Sequence, residues 1–500
     1  MQLLEDATRA LTLPAQLTPA DLERAADPIH VLIAAQARAR VADCQDFFTR
    51  RLDAGAVVYG ASTGFGPLVS YGGRAQAADQ CDNVLAHLTC GQGDDLPPDV
   101  VRAMLLVRLA SLVRGRSAVT PGVLDSLAAA LRTDFTPAVP CLGSVGASGD
   151  LVPMAHAVQA LRGRGRAYVG ATSMPAAEAL DRAGLRPLLL DGRDALALVN
   201  GTSLTVAAGA LALARLKRAH AAALRLTALL ADLLGCAPDF ASPALLDAYG
   251  HPDAVRAGVT LRELLAGLVP TGRRPFQEPY SIRCTPQLLG AVGSSLRHAT
   301  EVIDHDLGGI SDNPLCFPET GEIAHGGNFF GQPVAFAADL LTLVAVQTGN
   351  LAERQLDLLI DPHRNGALPA MLAPEPGRQH AAQGVQLAAT AVVAQMRRTA
   401  TPASIQSLPT NGHNQDVVPF GTQAALNALN QAELLRLLQG SLALALRQAA
   451  YVGARQPTAP ACAALLDQLT DALPPIDPDR PLDADVRRAA DVLDVAVQAG

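Results

Sequence analysis

From about Leu196 onward apolar residues recur at helical spacing in long Ala/Leu-rich segments, and the period predicts helices over 203–235, 286–304, 333–360, 381–400 and 420–452. Segments of that length read as members of an elongated helical bundle. The preceding part, 1–195, mixes shorter helical patterns with Gly- and Pro-bearing turns at 59–67, 71–73 and 137–149, and reads as a compact, loop-rich N-terminal domain. The rest, 196–500, reads as the bundle with its C-terminal helices. Between the long segments lie polar connections rich in Asn, Gln, Tyr and Arg, at 277–287, 311–314, 325–332 and 407–416. Polar clusters at bundle ends are where sites are built. There is no internal repeat.

Composition narrows the function classes. With 49% hydrophobic and 17% charged residues, the 500-residue chain has apolar material for a large core and buried subunit contacts. A net charge of -8 and no run of Lys or Arg beyond local pairs leave no basic footprint for nucleic acid. Eight cysteines without C-x-x-C spacing fit reduced thiols in a cytoplasmic protein and signal no metal site. The acidic start, Met1 to Asp6, is unlike a secretory signal. One uncharged apolar stretch, Leu196 to Ala214, has spanning length, but it holds Asn200, Gly201, Thr202 and Ser203 and runs into Arg215, Lys217 and Arg218. That reads as a buried helix rather than a membrane span. Lys217 is the only lysine, placed where it reads as a solvated helix face, so a pyridoxal Schiff base is a poor candidate for amino-acid chemistry here.

The residues 143–150, Gly-Ser-Val-Gly-Ala-Ser-Gly-Asp, allow an unusual backbone reaction. If the Gly149 nitrogen attacks the carbonyl carbon of Ala147, a ring closes. Loss of the Ala147 oxygen and the Ser148 hydroxyl as two waters leaves a conjugated methylidene carbon. Gly149 offers an unhindered amide and permissive dihedrals, Ser148 the leaving hydroxyl, and Ala147 a side chain too small to block the turn. Taken alone, Ala-Ser-Gly is equally a Gly/Ser turn.

The surrounding motifs decide between the two. The segment from Gly143 to Leu151 resembles the electrophile loop of the aromatic amino-acid ammonia-lyases and 2,3-aminomutases, which share a methylidene-imidazolone made from Ala-Ser-Gly. Tyr59 to Gly66 is similar to that family's N-terminal glycine loop, and Leu196 to Thr202 to its asparagine motif. Tyr280 to Gln287, Ser311 to Pro314, Gly326 to Phe329 and Asn414 to Asp416 also resemble family motifs, in the family's order and over most of the chain.

That resemblance implies a mainly α fold: a fumarase/aspartase-like long helical bundle with a smaller N-terminal domain carrying the electrophile loop. It implies a homotetramer whose sites are shared between subunits. No external cofactor is required, because 4-methylidene-imidazol-5-one forms autocatalytically from Ala147, Ser148 and Gly149. Tyr59 is implied as the base on the substrate β-carbon; since a free phenol titrates near ~10, nearby dipoles or positive charge must stabilise its phenolate. Arg283 is implied to hold the substrate carboxylate by bidentate pairing, although Glu278 offers it an ion pair instead. Tyr280 is implied near the reacting amine, with Asn200 and Gln287 orienting the electrophile. A helix N-cap is the plainer role for Asn200. Gly66 belongs to the substrate-facing loop, and Asn313, Asn328 and Gln415 are further implied amides.

His87 and Leu88 occupy the pair that, in tyrosine-selective members, faces the far end of the substrate ring. The resemblance therefore implies elimination of ammonia from L-tyrosine to (E)-4-coumarate. Tyrosine 2,3-aminomutase giving β-tyrosine stays open, since Ser407 to Gly412 and Phe330 also occur among mutases, as do lyases for phenylalanine or histidine. Asp194 stands where many relatives have Glu. One departure is Gly308, in Asp306 to Ile310, where the family usually has Asn; it is expected to remove a polar anchor near the site and loosen the loop. His305 beside it reads as an exposed loop residue.

Overall fold

The computed structural model describes residues 10–453 and 455–498, so the acidic start Met1 to Asp6 lies outside the described residues. Among these are eighteen α-helices and nine strands, none of the strands longer than four residues. The fold is therefore mainly α, as the periodicity predicts. The long helices run Ser203–Leu234, Thr285–Gly308, Gln332–Ile360, Gln383–Arg398 and Gly421–Val452, each within a few residues of its expected bounds. Ala and Leu dominate them because both are strong helix formers that bury well.

Contacts group the chain into two compact units, each assembled from three stretches. One unit comprises the chain up to Leu211, Thr300–Asp339 and Pro402–Leu426; the other comprises Ala212–Ala299, Leu340–Thr401 and Asn427 onward.

In the first unit, helix Pro98–Leu112 is buried at every position from Val100 to Leu112. Pro98 opens it, and Asp99 in the first turn suits the helix dipole. Small sheets edge this core: Leu11–Leu13 pairs in parallel with Val31–Ile33, and Phe135–Pro137, Arg166–Val169 and Thr172–Pro175 form an antiparallel trio. Helix Ala35–Asp53 contributes Cys44, Phe47 and Phe48 to a cluster with Val58, Ala118 and Cys316. That cluster anchors the chain immediately before Tyr59.

In the second unit, helices Pro243–Tyr249 and Pro252–Leu264 pack together, as do Pro460–Ala472 and Asp483–Gln498. The lone lysine, Lys217, is exposed on helix Ser203–Leu234. Leu196 to Ala214 is not one helix: Asp194–Val199 ends at Asn200, and the next helix starts at Ser203. Among the described residues one helix, Gln332–Ile360, is long and apolar enough to cross a membrane, and 72% of its most apolar window is buried in the protein.

Gly308 closes helix Thr285–Gly308 and packs against Gln16; a Cβ there would lie 2.6 Å from Gln16 Oε1. Gln16 in turn donates to the Asp304 carbonyl at 2.7 Å. The expected loosening is thus met by a close packing contact. His305 is exposed, but on the last turn of this helix rather than in a loop.

Burial raises the Asp306 carboxyl to about 6. A carboxyl near ~3.9 when unfolded and higher when folded gives stability that is full below the unfolded value and lost as pH rises through about 6. The loss is roughly 3 kcal/mol. Thermal melts of the parent and Asp306→Asn should therefore show the variant gaining on the parent between pH 4 and pH 7.5. A pH-independent gap between the two would mean that Asp306 titrates normally.

Candidate active site

The loop 143–149 connects strand Pro140–Leu142 to helix Leu151–Leu161. Gly146 and Gly149 hold positive φ, 72° and 74°, which L side chains rarely adopt. A Cβ on Gly149 would also lie 2.2 Å from the Gly201 carbonyl oxygen, so only glycine fits. Gly149 pairs with Gly201 and bridges back to Ala147 and Gly146, which folds the backbone tightly across Ser148.

Beneath the loop, the Asp150 side chain is wholly buried. Its carboxyl accepts from Thr205 N (2.9 Å), Thr205 Oγ1 (2.9 Å), Thr422 Oγ1 (2.6 Å) and Ser144 Oγ (3.0 Å). Burial pushes its pKa up, while these hydrogen bonds oppose the shift. The Asp150 N–H donates to the Gly201 carbonyl at 2.7 Å. This base fixes the loop from below. The tight turn, the bare Gly149 and the hydroxyl of Ser148 are the features a backbone-derived electrophile needs, and the residues present fit it.

A cavity of about 540 Å³ opens over the loop, walled by Ala147 and Ser148. Gln415 Nε2 donates to Ser148 Oγ at 2.7 Å, and Gln415 Oε1 accepts from Thr410 Oγ1, which sets the amide's orientation. A donor on that hydroxyl assists its departure as water. Asn200 Nδ2 reaches the Ser148 carbonyl at 3.4 Å. Asn200 ends helix Asp194–Val199 in an extended conformation rather than N-capping the helix that follows, so the plainer role is not the one it takes. Its Oδ1 is buried without a partner.

Tyr59 lines the same cavity. Val58 is buried behind it, Gly60 N donates to Thr63 Oγ1 at 3.0 Å, and a Cβ on Gly60 would strike Leu196 at 2.4 Å. The Gly66 N–H donates to Tyr59 Oη at 2.9 Å. That is a dipole suited to a phenolate. Phe65 stands edge-on to Tyr59 (6.4 Å, 87°) and tilted against His87 (6.0 Å).

His87 and Leu88 end helix Ala77–Leu88 and line the same cavity. His87 Nδ1 lies 2.9 Å from the Asn83 carbonyl, which accepts and so must face an N–H. The tautomer this assigns leaves Nε2 as an acceptor. Gly66 and Asn313 complete the expected residues of this wall. Asn313 Oδ1 accepts from Gly326 N at 2.8 Å. Next to it Asp312 makes a fully buried bidentate pair with Arg193 (2.7 and 2.8 Å).

The structure thus brings together Tyr59, Gly66, His87, Leu88, Ala147, Ser148, Asn200, Asn313 and Gln415, with Gly149 in the same loop. Tyr280, Arg283 and Gln287 belong to the second unit. There Arg283 and Gln287 line a separate cavity of about 570 Å³, and Tyr280 is 70% exposed. The Arg283 guanidinium lies over the Tyr280 ring at 4.7 Å. Glu278 does not pair with Arg283; it is taken by Arg274 (2.6 and 2.9 Å). Arg283 Nε and Gln287 Oε1 are buried without partners.

Sequence reasoning does not single out Phe65, Leu196, Asn411 or Asn414 as wall residues, although each lies inside a family motif. Their positions are visible in the chain; that their side chains turn inward is not. Phe329 and Phe330 form part of the apolar wall. Phenol, imidazole, five side-chain amides and an apolar wall around Ser148 suit capture of an aromatic amino acid and removal of its β-hydrogen.

Comparison with known proteins agrees. The aromatic amino acid lyase family profile matches residues 17–471. The chain is 38% identical to a tyrosine ammonia-lyase of Cupriavidus metallidurans over 91% of this chain and 90% of that protein. It is 36% identical to a histidine ammonia-lyase of Symbiobacterium thermophilum over 97% and 96%. Among solved structures, a tyrosine aminomutase from Streptomyces globisporus superposes with a TM-score of 0.91 at 32% identity, covering 97% of each chain.

Proposed function

The chain belongs to the aromatic amino acid lyase family, and from that premise we propose that it is a tyrosine ammonia-lyase, releasing ammonia from L-tyrosine to give (E)-4-coumarate. The observation that carries the substrate is His87, which lines one cavity with Ser148 and Tyr59 and keeps Nε2 free of the Asn83 carbonyl. A phenol hydroxyl donates to such a nitrogen; a phenyl ring leaves it unanswered.

When formed, the methylidene-imidazolone supplies an electron-poor carbon, Ser148 Cβ, that binds the substrate nitrogen and makes it a better leaving group. Asn200 Nδ2 holds the Ser148 carbonyl oxygen, and Gln415 donates to the Ser148 hydroxyl until that hydroxyl leaves as water. Tyr59 Oη, as a phenolate held by the Gly66 N–H, takes the β-hydrogen as a proton and becomes neutral. The substrate's Cβ–H and Cα–N bonds break and its Cα=Cβ bond forms; the proton taken by Tyr59 passes to the departing nitrogen, which leaves as ammonia and restores the base.

Among the described residues the cavity wall contains no Arg or Lys, so the carboxylate needs a cation from outside it. Arg283, with its unanswered Nε, is the proposed partner, with Tyr280 near the amine and Gln287 beside them. A homotetramer with sites shared between copies supplies them. The exposed Phe276 and Tyr280 support such contacts.

A second reading is tyrosine 2,3-aminomutase, favoured by Phe330 in the cavity wall; lyases for phenylalanine or histidine are the remaining alternatives. Incubation with tyrosine, phenylalanine and histidine separates them. Ultraviolet absorbance follows the unsaturated acids, and chiral chromatography detects β-tyrosine. Coumarate from tyrosine, with little β-tyrosine, is the expected result; β-tyrosine as the main product overturns the lyase in favour of the mutase. His87→Phe should reduce the preference for tyrosine over phenylalanine by at least roughly 100-fold in kcat/KM. An unchanged preference would remove His87 from substrate choice.

A further inference from the structure

Helix Pro98–Leu112 buries two arginines, and they are treated differently. Arg102 is answered throughout: Nε donates to the Ala25 carbonyl (2.6 Å), Nη1 to Thr133 (2.7 Å) and Phe135 (3.2 Å), Nη2 to Leu131 (2.8 Å) and Asp27 (3.0 Å). It ties chain turns together. Arg108 is 1% exposed, yet only Nη1 is engaged, donating to the Asn200 carbonyl at 2.8 Å and the Ser311 carbonyl at 2.9 Å. Its Nε and Nη2 have no partner among the described residues. Burial lowers its pKa to about 10, which still leaves it charged at neutral pH. Unanswered buried donors cost stability, a cost that Arg102 avoids.

The two carbonyls that Arg108 bridges belong to the turns that carry Asn200 and Asn313. Thr202 N (2.9 Å) and Thr202 Oγ1 (3.1 Å) donate to Ser311 Oγ across the same junction. Gly201 lies between, at φ 129°; a Cβ there would sit 2.4 Å from Arg108 Nη1 and 2.3 Å from the Ser311 carbonyl oxygen. The absent side chain at Gly201 is what admits the guanidinium. Gly201 in turn pairs with Gly149, and Asn200 reaches the Ser148 carbonyl.

We propose that Arg108 is a positioning residue: by bridging the Asn200 and Ser311 carbonyls it holds the Asn200 amide and the Gly201 backbone against Ser148 and Gly149, and so sets the reactivity of the carbon derived from Ser148. It does not line the cavity and touches no substrate. Its charge draws on the Asn200 peptide from behind, in surroundings where a buried cation acts strongly. This rests on the electrophile reading given above.

The test uses the full chain, Arg108→Lys and Ser311→Ala. Three quantities are measured: the two-water mass deficit of the 143–149 peptide, kcat and KM with tyrosine, and the rate at which borohydride bleaches the electrophile's ultraviolet absorbance. Hydride adds at the Ser148 carbon and water supplies the proton. Lysine keeps the charge, but its shorter, flexible side chain does not place a nitrogen where the rigid guanidinium holds Nη1 between the two carbonyls. Arg108→Lys is expected to lower kcat roughly 10- to 100-fold with KM little changed, and to slow hydride addition in parallel. Ser311→Ala, which loosens the same junction without touching charge, should show the same pattern at a smaller size. Incomplete water loss in either variant also supports the proposal.

Hydride addition at the parent's rate in fully matured variants overturns it, whatever happens to turnover. If Arg108→Lys fails to fold, Ser311→Ala decides alone by the same criterion. A parent chain with no water missing overturns the electrophile reading, and this inference falls with it.

Discussion

Ser148→Ala will leave the chain folded but will no longer lack two waters in the 143–149 peptide, and turnover will fall at least roughly 1,000-fold. Ser148 makes no core contact that the fold depends on; its Oγ meets Gln415 Nε2 at 2.7 Å within the cavity wall. Gly149, Asp150 and their bonds to Gly201, Thr205 and Thr422 do not involve the hydroxyl that is lost. Intact-mass and peptide mass spectrometry, with circular dichroism as the folding control, measure the result. A variant that keeps both the water deficit and its turnover would place the chemistry elsewhere.

Tyr59→Phe should separate proton removal from electrophile formation. The ring can keep its edge contact with Phe65, while the hydroxyl that accepts the Gly66 N–H disappears. The expected loss in kcat is roughly 100- to 10,000-fold, the usual worth of a positioned base. KM should change little, and the two-water deficit should remain complete. Steady-state kinetics beside peptide mass spectrometry give both quantities from one preparation. A fully active Tyr59→Phe enzyme would remove Tyr59 from the base role.

Much of the fold and the site is legible in the amino-acid sequence alone. Alanine- and leucine-rich periodicity over tens of residues gives five long helices to within a few positions, because burial of a continuous apolar stripe leaves little choice of period. The motif residues Tyr59, His87, Ser148, Asn200 and Gln415 come together from widely separated positions. Partition into units is not legible. Each unit mixes three stretches of chain, and hydrophobic periodicity carries no information about which helix ends meet. Side-chain direction is hidden as well. Asn200 could equally have capped a helix, and Glu278 could have paired with Arg283 in place of Arg274. Gly308 illustrates the same limit, since the filler opposite it, Gln16, lies almost three hundred residues earlier in the sequence. Arg108 carries no sequence signal at all, being one of two arginines in an apolar helix.

The single exposed lysine has a practical consequence. Nearly all of the 39 basic residues are arginine, which does not acylate under mild conditions, so amine-directed reagents find one side chain, Lys217, besides the chain's own α-amino group. A dye, an affinity handle or a solid support can therefore be attached at one defined side chain. Lys217 is not among the residues that wall the Ser148 cavity, so such attachment leaves every residue of that wall chemically untouched.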